Sequence, residues 1–178
     1  MEREIQLFIA VTIDGFIARE NGSLDWLFEL ANPNQEDHGY NDFIAEIDTI
    51  IIGRRTYEQL IGFGIEWPYG NCKTYVATKQ QNFRIKSGNT LITNRIDDSF
   101  IAHIKTESSK NSWLVGGGDL ITQFLNEHAI DRMILSIIPI VLGNGIRLFP
   151  DRPKESKFKL VSAVRFETGI VNITYQKV

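Results

Sequence analysis

The stretch TIIIGRRTYEQL at residues 49–60 runs from a branched apolar segment through one glycine into a helix-like segment. Thr49 to Ile52 predict a buried strand, because such runs occur in strands that are covered on both faces. Gly53 ends the run, and residues 54–61 predict a helix that begins immediately after it. Strands that alternate with helices in this way are typical of α/β proteins with a mostly parallel sheet.

A second junction of the same kind occupies residues 113–125, which read WLVGGGDLITQFL. Trp113 to Val115 predict a strand, the triple glycine at 116–118 ends it, and a helix follows. Ligands of open α/β sheets bind beyond the carboxyl ends of the strands. There a glycine lets the backbone approach a phosphate, and a helix N-terminus offers unpaired N–H groups. Two such junctions predict a site for a ligand with two phosphates, although either one alone is also typical of a tight packing turn.

Side chains beside the first junction favour the same interpretation. Arg54 and Arg55 add charge-assisted donors whose planar shape suits phosphate, and Thr56 adds a hydroxyl. The alternative for the paired arginines is a solvated surface without a ligand.

The chain between and before these junctions continues the alternation of strands and helices. Further strands are predicted at residues 4–11, 73–77 and 90–93, and a polar loop at 32–41. Asp42 is predicted to cap a short helix that carries Phe43, Ile44 and Ile47 on one face. Asp97 and Asp98 are predicted to cap another.

After about residue 130 the pattern is one of strands alone. The apolar run 133–141 contains Pro139, which indicates an edge strand, a bulge or an irregular stretch. Residues 158–166 and 171–176 alternate apolar and polar side chains, and Thr168-Gly169 between them indicates a hairpin turn. We therefore expect an α/β fold with a mixed, mostly parallel sheet, helices on both faces and an antiparallel C-terminal hairpin.

Composition excludes several classes of protein. With 178 residues, 43% hydrophobic and 23% charged, the chain is typical of one globular domain spanning 1–178. The net charge of -3 and the lack of a basic stripe predict no nucleic-acid partner and no membrane anchor. The apolar run near the N-terminus is too short for a signal peptide or a membrane span. Cys72, the single cysteine, predicts a buried or half-buried structural thiol rather than a nucleophile, and we expect a cytoplasmic protein.

Motifs of other chemistries are missing. The sequence has no GxxxxGK[ST] phosphate loop, no GxGxxG fingerprint and no Gly-x-Ser-x-Gly elbow, which argues against an ATPase, a Rossmann enzyme and a serine hydrolase. Its three histidines and one cysteine do not show metal-ligand spacing, so we expect no metal site.

Five motifs in a fixed order give the chain a family likeness. They are DGFIA with ENG (residues 14–18 and 20–22), GRRTYE (53–58), TK (78–79), GGGDL with QFL (116–120 and 123–125) and PIVLGNGIRLF (139–149). With these motifs the chain resembles the dihydrofolate reductase superfamily, and more closely its branch related to the reductase domain of riboflavin-biosynthesis proteins. The resemblance runs nearly from end to end.

The resemblance implies a dihydrofolate-reductase-like sheet of about eight strands, NADPH as hydride donor, a small-molecule substrate and a homodimer. It assigns to the cofactor Ala10, Ile17, Ala18, Gly22, Gly53, Arg54, Arg55, Thr56, Thr78, Lys79, Gly116, Gly117, Gly118, Asp119 and Leu120. The charges of Arg54, Arg55 and Lys79 favour NADPH over NADH, because a 2′-phosphate needs charged partners. The segment 14–21 is expected to close over the nicotinamide, with glycines at its turns.

The reaction expected from the resemblance is hydride transfer to a C=N or C=O bond of a small planar molecule, pterin- or pyrimidine-like. Dihydrofolate reductases hold the pterin with a carboxylate that we cannot place among Glu36, Asp37 and Asp42. A riboflavin-type substrate is therefore favoured over a folate. Asp25 and Asp37 are the candidates for assisting proton transfer, with ordinary helix-start or loop positions as the alternative.

Two aromatic residues are candidates for the substrate pocket. Trp26 is expected to wall it by stacking, with a position in the core as the alternative, and Tyr57 belongs to the GRRTYE motif. A protein that binds a dinucleotide without catalysing a reaction is the alternative from another functional class. Turnover of NADPH with a panel of acceptors distinguishes the two.

Overall fold

The computed structural model describes residues 3–178, and Met1 and Glu2 lie outside the described residues. The predicted single domain spans residues 1–178, so its first two positions lie outside the described residues. The elements in chain order are β1 (Ile5–Thr12), β2 (Phe16–Ala18), α1 (Asp25–Phe28), α2 (Tyr40–Ala45), β3 (Ile47–Gly53), α3 (Arg54–Gly62), β4 (Lys73–Ala77), β5 (Thr90–Thr93), α4 (Asp98–Glu107), β6 (Asn111–Gly116), α5 (Gly118–Asn126), β7 (Arg132–Ile138), β8 (Ile146–Arg147), β9 (Phe158–Arg165) and β10 (Val171–Lys177).

Eight of the strands form one mixed sheet in the order β5-β4-β3-β6-β1-β7-β10-β9. The six strands from β5 to β7 are parallel to one another, whereas β10 is antiparallel to both β7 and β9. The predicted α/β fold, with a mostly parallel sheet and an antiparallel C-terminal hairpin, is confirmed. Parallel strands place all their carboxyl ends at one edge of the sheet, which puts the ends of β3, β4, β6 and β1 side by side.

Alternation along the strands divides the core between the two faces of the sheet. Ile51 packs on the face that α4 and α5 cover, together with Ile104 and Phe124 of those helices. Ile50 and Ile52 point to the other face, where α2 and α3 supply further buried side chains. Helices on both faces, as predicted, explain why the central strands are apolar along their whole length.

Most predicted elements lie where the sequence places them, but two residues of the helix predicted after Asp42 have other positions. The cap of α2 is Gly39, whose φ of 79° only glycine adopts freely, so Asp42 lies inside the first turn and the predicted cap is wrong. Ile47 begins β3 and is not part of the α2 face. Pro139 follows the end of β7, an interior strand, so of the three alternatives only an irregular stretch after the strand remains. Cys72 is buried, as expected.

A small second sheet ties the segment after β1 to the 139–149 motif. Strand β2 pairs with β8 in antiparallel fashion. Before it, the carboxylate of Asp14 accepts hydrogen bonds from the amides of Leu142 (3.2 Å) and Gly143 (2.7 Å). In this conformation the predicted closing loop is held against the 139–149 motif at the edge of the sheet where the parallel strands end. Among the described residues no helix reaches the length of a membrane span, the longest, α4, having 10 residues.

Candidate functional site

The two strand–glycine–helix junctions lie directly against each other. Because β3 and β6 are parallel neighbours with Ile52 opposite Gly116, both strands end at the same level of the sheet. A Cβ atom placed on Gly53 would lie 3.3 Å from the carbonyl oxygen of Gly116 and 3.4 Å from the amide nitrogen of Gly117. The two helices that follow therefore begin side by side, at the carboxyl edge of the sheet.

Both of these helices begin without a side-chain cap. Within residues 3–178, no side chain caps the first turn of α3 or of α5, and each helix has nine residues. The hydroxyl of Thr56 lies 3.4 Å from the Cβ position of Gly117, in the space between the two turns. Uncapped first-turn N–H groups carry partial positive charge, so two adjacent helix N-termini form a place where an anion is stabilised.

The three glycines of the second junction have different neighbours. A Cβ on Gly117 would meet only the hydroxyl of Thr56 within 4 Å, and its φ of -79° suits any residue. A Cβ on Gly118 would lie 2.5 Å from the carbonyl oxygen of Arg147 and 2.9 Å from Pro150. Gly118 is therefore required for packing against the 139–149 motif, whereas the open side of Gly117 faces the gap between the helices.

The positively charged side chains near the junctions differ in whether a carboxylate already pairs with them. Arg54 forms an ion pair with Glu58 one turn later in α3. Arg55 and Lys79 are exposed, and no carboxylate of residues 3–178 lies within salt-bridge distance of either. Thr78 follows β4 directly, and its hydroxyl accepts a hydrogen bond from the amide of Gln80. Because β4 is the parallel neighbour of β3, Thr78 and Lys79 lie beside the first junction.

The other residues assigned to the cofactor surround the same edge. Ala10 lies in β1, Ile17 and Ala18 lie in β2, and Asp119 and Leu120 lie in the first turn of α5. The carbonyl of Gly22 accepts a hydrogen bond of 2.8 Å from Gln59 of α3, which ties the 19–22 turn to the first helix. The structure thus brings the predicted set to one edge of the sheet.

A cavity of about 230 Å³ opens on the face of the sheet that α2 and α3 cover. Its lining comes mainly from β1, β6, β7 and the segment before α2, and consists of Phe8, Ile9, Ala10, Leu27, His38, Tyr40, Trp113, Ser136, Ile138 and Ile170. Ala10 belongs both to this cavity and to the set assigned to the cofactor. Aromatic and aliphatic walls with a few polar groups are typical of sites for flat small molecules.

Three polar side chains reach this cavity, and none of its ten lining residues is acidic. The hydroxyl of Ser136 donates to the side-chain oxygen of Asn172 at 2.7 Å. Burial raises the pKa of the Tyr40 phenol, while a hydrogen bond with Tyr69 acts in the opposite direction. The third polar group is the imidazole of His38.

The two carboxylates proposed from the sequence to assist proton transfer are engaged elsewhere. Asp25 accepts two hydrogen bonds from the guanidinium of Arg19, at 2.7 and 2.9 Å, and these lower its pKa. Asp37 accepts from the amides of Asn41 and Gly39, which lower its pKa as well. A carboxylate whose pKa is lowered stays ionised at neutral pH and is a poor proton donor.

The two aromatic candidates for the substrate pocket are both in the core. Trp26 is 3% exposed and packs with Ile138 and Ile170, which line the cavity. Tyr57 is 1% exposed, and its hydroxyl accepts a 2.9 Å hydrogen bond from the amide of Lys86. Trp26 therefore supports one wall of the cavity from behind, whereas Tyr57 holds the loop before β5.

Sequence reasoning did not identify the polar side of the cavity. Its three residues lie far apart in the chain: His38 in a polar loop, Ser136 in the middle of an apolar run and Asn172 in an alternating strand. Asn172 donates to the carbonyl oxygen of His38 at 2.7 Å, across 134 positions of the chain. The only local signal was a histidine within a loop, which by itself indicates no contact.

The chain is similar to several known proteins. The uncharacterized protein YwjB of Bacillus subtilis (strain 168) is 40% identical over 170 residues, covering 96% of each chain. A crystal structure described as a putative riboflavin biosynthesis protein of Shewanella sp. PV-4 has a TM-score of 0.87 at 28% identity, covering 100% of this chain and 99% of that one. The Enterococcus faecalis dihydrofolate reductase, complexed with NADP(H), shares the fold, with a TM-score of 0.69, 17% identity and 98% and 96% coverage. The family model described as the RibD C-terminal domain matches residues 3–172, and the chain belongs to that family.

Proposed function

We propose that this protein is an NADPH-dependent reductase that transfers a hydride to a small planar molecule. The observation that carries the proposal is the contact between the two glycine junctions, which sets the uncapped N-termini of α3 and α5 side by side. Two adjacent anion sites suit the pyrophosphate of a dinucleotide. Two further findings support the proposal: the chain belongs to the RibD C-terminal domain family, and it shares the fold of a reductase complexed with NADP(H).

The residues present fit this cofactor at several points. The open side of Gly117 leaves room that a Cβ would fill, and Thr56 places a hydroxyl beside it. The first-turn amides of α3 and α5 would bind the pyrophosphate oxygens. Lys79, with Arg54 and Arg55, would bind the 2′-phosphate that distinguishes NADPH from NADH, because paired charges make the stronger hydrogen bonds to phosphate.

When bound, the dinucleotide supplies a hydride to a carbon of a C=N or C=O bond. The protein's own residues orient the acceptor and exclude water from it. Phe8, Tyr40 and Trp113 provide flat walls against which a heterocycle can stack, and their apolar surface keeps the cavity dry. Ala10 lines this cavity and also belongs to the set of residues assigned to the cofactor.

The substrate that we favour is of the pyrimidine type rather than a folate. A carboxylate is well suited to recognise a 2-aminopyrimidine edge, as in a pterin, because it accepts paired hydrogen bonds. None of the ten residues that line the cavity is acidic. Similarity to a putative riboflavin biosynthesis protein supports the same choice.

Calorimetric titration with NADPH, and with NADH as the control, tests the cofactor. The expected result is clear binding of NADPH with at least tenfold preference over NADH, or about 1.4 kcal/mol. Absence of binding to either dinucleotide would refute the proposal, because the junctions would then have no nucleotide ligand.

A dinucleotide-binding protein without catalysis is the second candidate, and the cavity without a lining carboxylate is what favours it. NADPH oxidation measured with a panel of pterins, pyrimidines and quinones distinguishes the two. Steady turnover with any of these acceptors excludes the second candidate. Tight NADPH binding without turnover throughout the panel favours it.

The exposed edge of the sheet supports the further proposal of a homodimer. Strand β9 lies at one edge of the eight-stranded sheet, and its residues Leu160, Val161 and Val164 are 55%, 52% and 49% exposed. Apolar side chains on an unpaired edge strand favour association with another chain. Sedimentation equilibrium is expected to give a dimer that the double substitution Leu160→Lys, Val164→Lys dissociates. A monomeric parent protein would refute this part of the proposal.

A further inference from the structure

His38 has a backbone conformation that few residues other than glycine adopt. Its φ is 53°, in the left-handed region, and it directly precedes Gly39, the cap of α2. Histidine tolerates this region better than branched residues do, although the conformation still costs free energy relative to an ordinary loop. Such strain persists only where surrounding contacts hold the residue in place, and it occurs often at functional sites.

Contacts from the C-terminal hairpin hold both the backbone and the ring of His38. Asn172 of β10 donates to its carbonyl oxygen at 2.7 Å, while the Asn172 side-chain oxygen accepts from Ser136 of β7. The hydroxyl of Thr168, in the turn before β10, lies 2.9 Å from the imidazole Nε2. Phe166 packs edge-on against the ring at 5.0 Å between centroids.

The ring held in this way lines the cavity. Its Nε2 is engaged with Thr168, whereas Nδ1 has no hydrogen-bond partner among the side chains and backbone of residues 3–178. Imidazole is also the group best suited to proton transfer near neutral pH. Asp25 and Asp37, by contrast, are held as carboxylates by Arg19 and by backbone amides.

We propose that His38 contacts the bound acceptor and supplies the proton that completes its reduction. This assignment rests on the proposed function, because it requires a hydride acceptor in the cavity. Thr168, Asn172 and Ser136 are positioning residues, which act on the acceptor only through His38 or through the wall of the cavity.

The reaction balances with one hydride and one proton. The hydride, which the bound dinucleotide would supply with both electrons of its former C–H bond, would add to the carbon of the C=N or C=O bond and shift the π electrons of that bond to the nitrogen or oxygen. As it adds, the N–H bond of the His38 imidazolium breaks, and its proton forms a new N–H or O–H bond on the acceptor. The neutral imidazole then takes a proton from water before the next turnover.

Several titratable side chains lie close to His38 in the loop, the hairpin and the cavity. Asp37 precedes it in the loop, and Glu167 precedes Thr168 in the hairpin, where its carboxylate accepts a hydrogen bond from Asn34. Tyr40 is the other titratable side chain beside it in the cavity, and burial raises the pKa of its phenol. A general acid must hold its proton in order to donate it, so the proposal predicts a rate that falls at alkaline pH.

Three variants separate proton transfer from a structural role. His38→Asn removes the imidazole but keeps a residue that readily adopts the left-handed region. Thr168→Val keeps the imidazole and removes its hydroxyl partner. His103→Gln is the matched control, because this other imidazole contacts a tyrosine hydroxyl, Tyr75 at 3.1 Å, and is not part of the cavity.

Kinetics with the acceptor that turns over fastest provide the first measurement. His38→Asn is expected to lower kcat about 100-fold and to abolish the alkaline decline, with NADPH affinity unchanged within twofold. Thr168→Val is expected to lower kcat by a smaller factor and to keep the decline, and His103→Gln to match the parent. Retention of the alkaline decline in His38→Asn would overturn the assignment while leaving the reductase function intact. Failure of every acceptor in the parent would instead overturn the proposed function.

Nuclear magnetic resonance of the imidazole rings provides a measurement that does not depend on turnover. The protein has three histidines, and the variants His38→Asn and His103→Gln assign the ring signals by the loss of one signal each. Lumazine and uracil, added in the presence of NADP⁺, are the probes. We expect the His38 signals to shift while those of His103 and His128 do not. If neither probe moves the His38 signals, the contact with the acceptor is refuted, whatever the calorimetry shows.

Discussion

Replacement of Gly117 by alanine separates cofactor binding from the integrity of the fold. A Cβ at this position meets only the Thr56 hydroxyl, at 3.4 Å, and the backbone φ of -79° suits alanine. Because Gly117 is the N-cap residue of α5 and alanine is less favourable there than glycine, the free energy of unfolding is expected to fall by no more than about 1 kcal/mol. The new methyl group nevertheless occupies the gap between the two helix N-termini, where the proposed site would hold the pyrophosphate.

The loss in binding follows from the hydrogen bonds that the methyl group prevents. Each hydrogen bond from an amide to a charged phosphate oxygen contributes about 1.5–3 kcal/mol. Loss of two such bonds amounts to about 3–6 kcal/mol, which corresponds to a 10²- to 10⁴-fold weaker NADPH affinity. Gly117→Val, with two more methyl groups, is expected to lie at the upper end of this range.

Calorimetric titration with NADPH and thermal unfolding by circular dichroism together measure the two effects. Gly62→Ala is the matched control, because nothing lies within 4 Å of its Cβ position at the end of α3. It is expected to keep NADPH affinity and to gain up to about 1 kcal/mol of stability. Gly118→Ala is expected to lose about 1–3 kcal/mol of stability, because its Cβ would lie 2.5 Å from the carbonyl of Arg147. A folded Gly117→Ala protein that binds NADPH within twofold of the parent would refute the phosphate site.

Three further outcomes are expected. Lys79→Ala weakens NADPH about 5- to 150-fold, or 1–3 kcal/mol, and leaves NADH nearly unchanged; equal losses in the two titrations would remove Lys79 from the 2′-phosphate site. Asp97→Ala destabilises the protein by about 1 kcal/mol in urea unfolding, because Asp97 caps α4 through the amide of Phe100; Asp98→Ala is the control and should cost less than half as much. For Asp48, burial alone would raise the pKa, but hydrogen bonds from Ser109 and from the backbone outweigh it and lower the pKa below the ordinary 3.8. The stability that this carboxylate contributes is complete above pH 3.8 and is lost as the pH falls through the lowered pKa, so Asp48→Asn should show a shallower decline of Tm in acid. If the Tm of this variant declines in acid as steeply as that of the parent protein, the assignment of these hydrogen bonds is contradicted.

The sequence by itself determined the class of the fold and the positions of the two glycine junctions. The strands at 49–52 and 113–115, each ended by glycine and followed by a helix, were recognisable because periodicity, turns and caps depend on near neighbours in the chain. The cap at Asp97 and the hairpin turn at Thr168-Gly169 were recognisable for the same reason. These features are local, and local hydrogen bonding and side-chain alternation suffice to specify them.

Only the tertiary structure decided which residues meet. It assigned Gly118 to packing against Arg147 and left Gly117 facing the gap, although the two glycines look alike in the sequence. It also joined His38 to Thr168 across 130 positions and so placed an imidazole in a cavity where sequence reasoning sought a carboxylate. Such contacts depend on the order and register of strands from both ends of the chain, and hydrophobic periodicity constrains the face of a residue without fixing its partner.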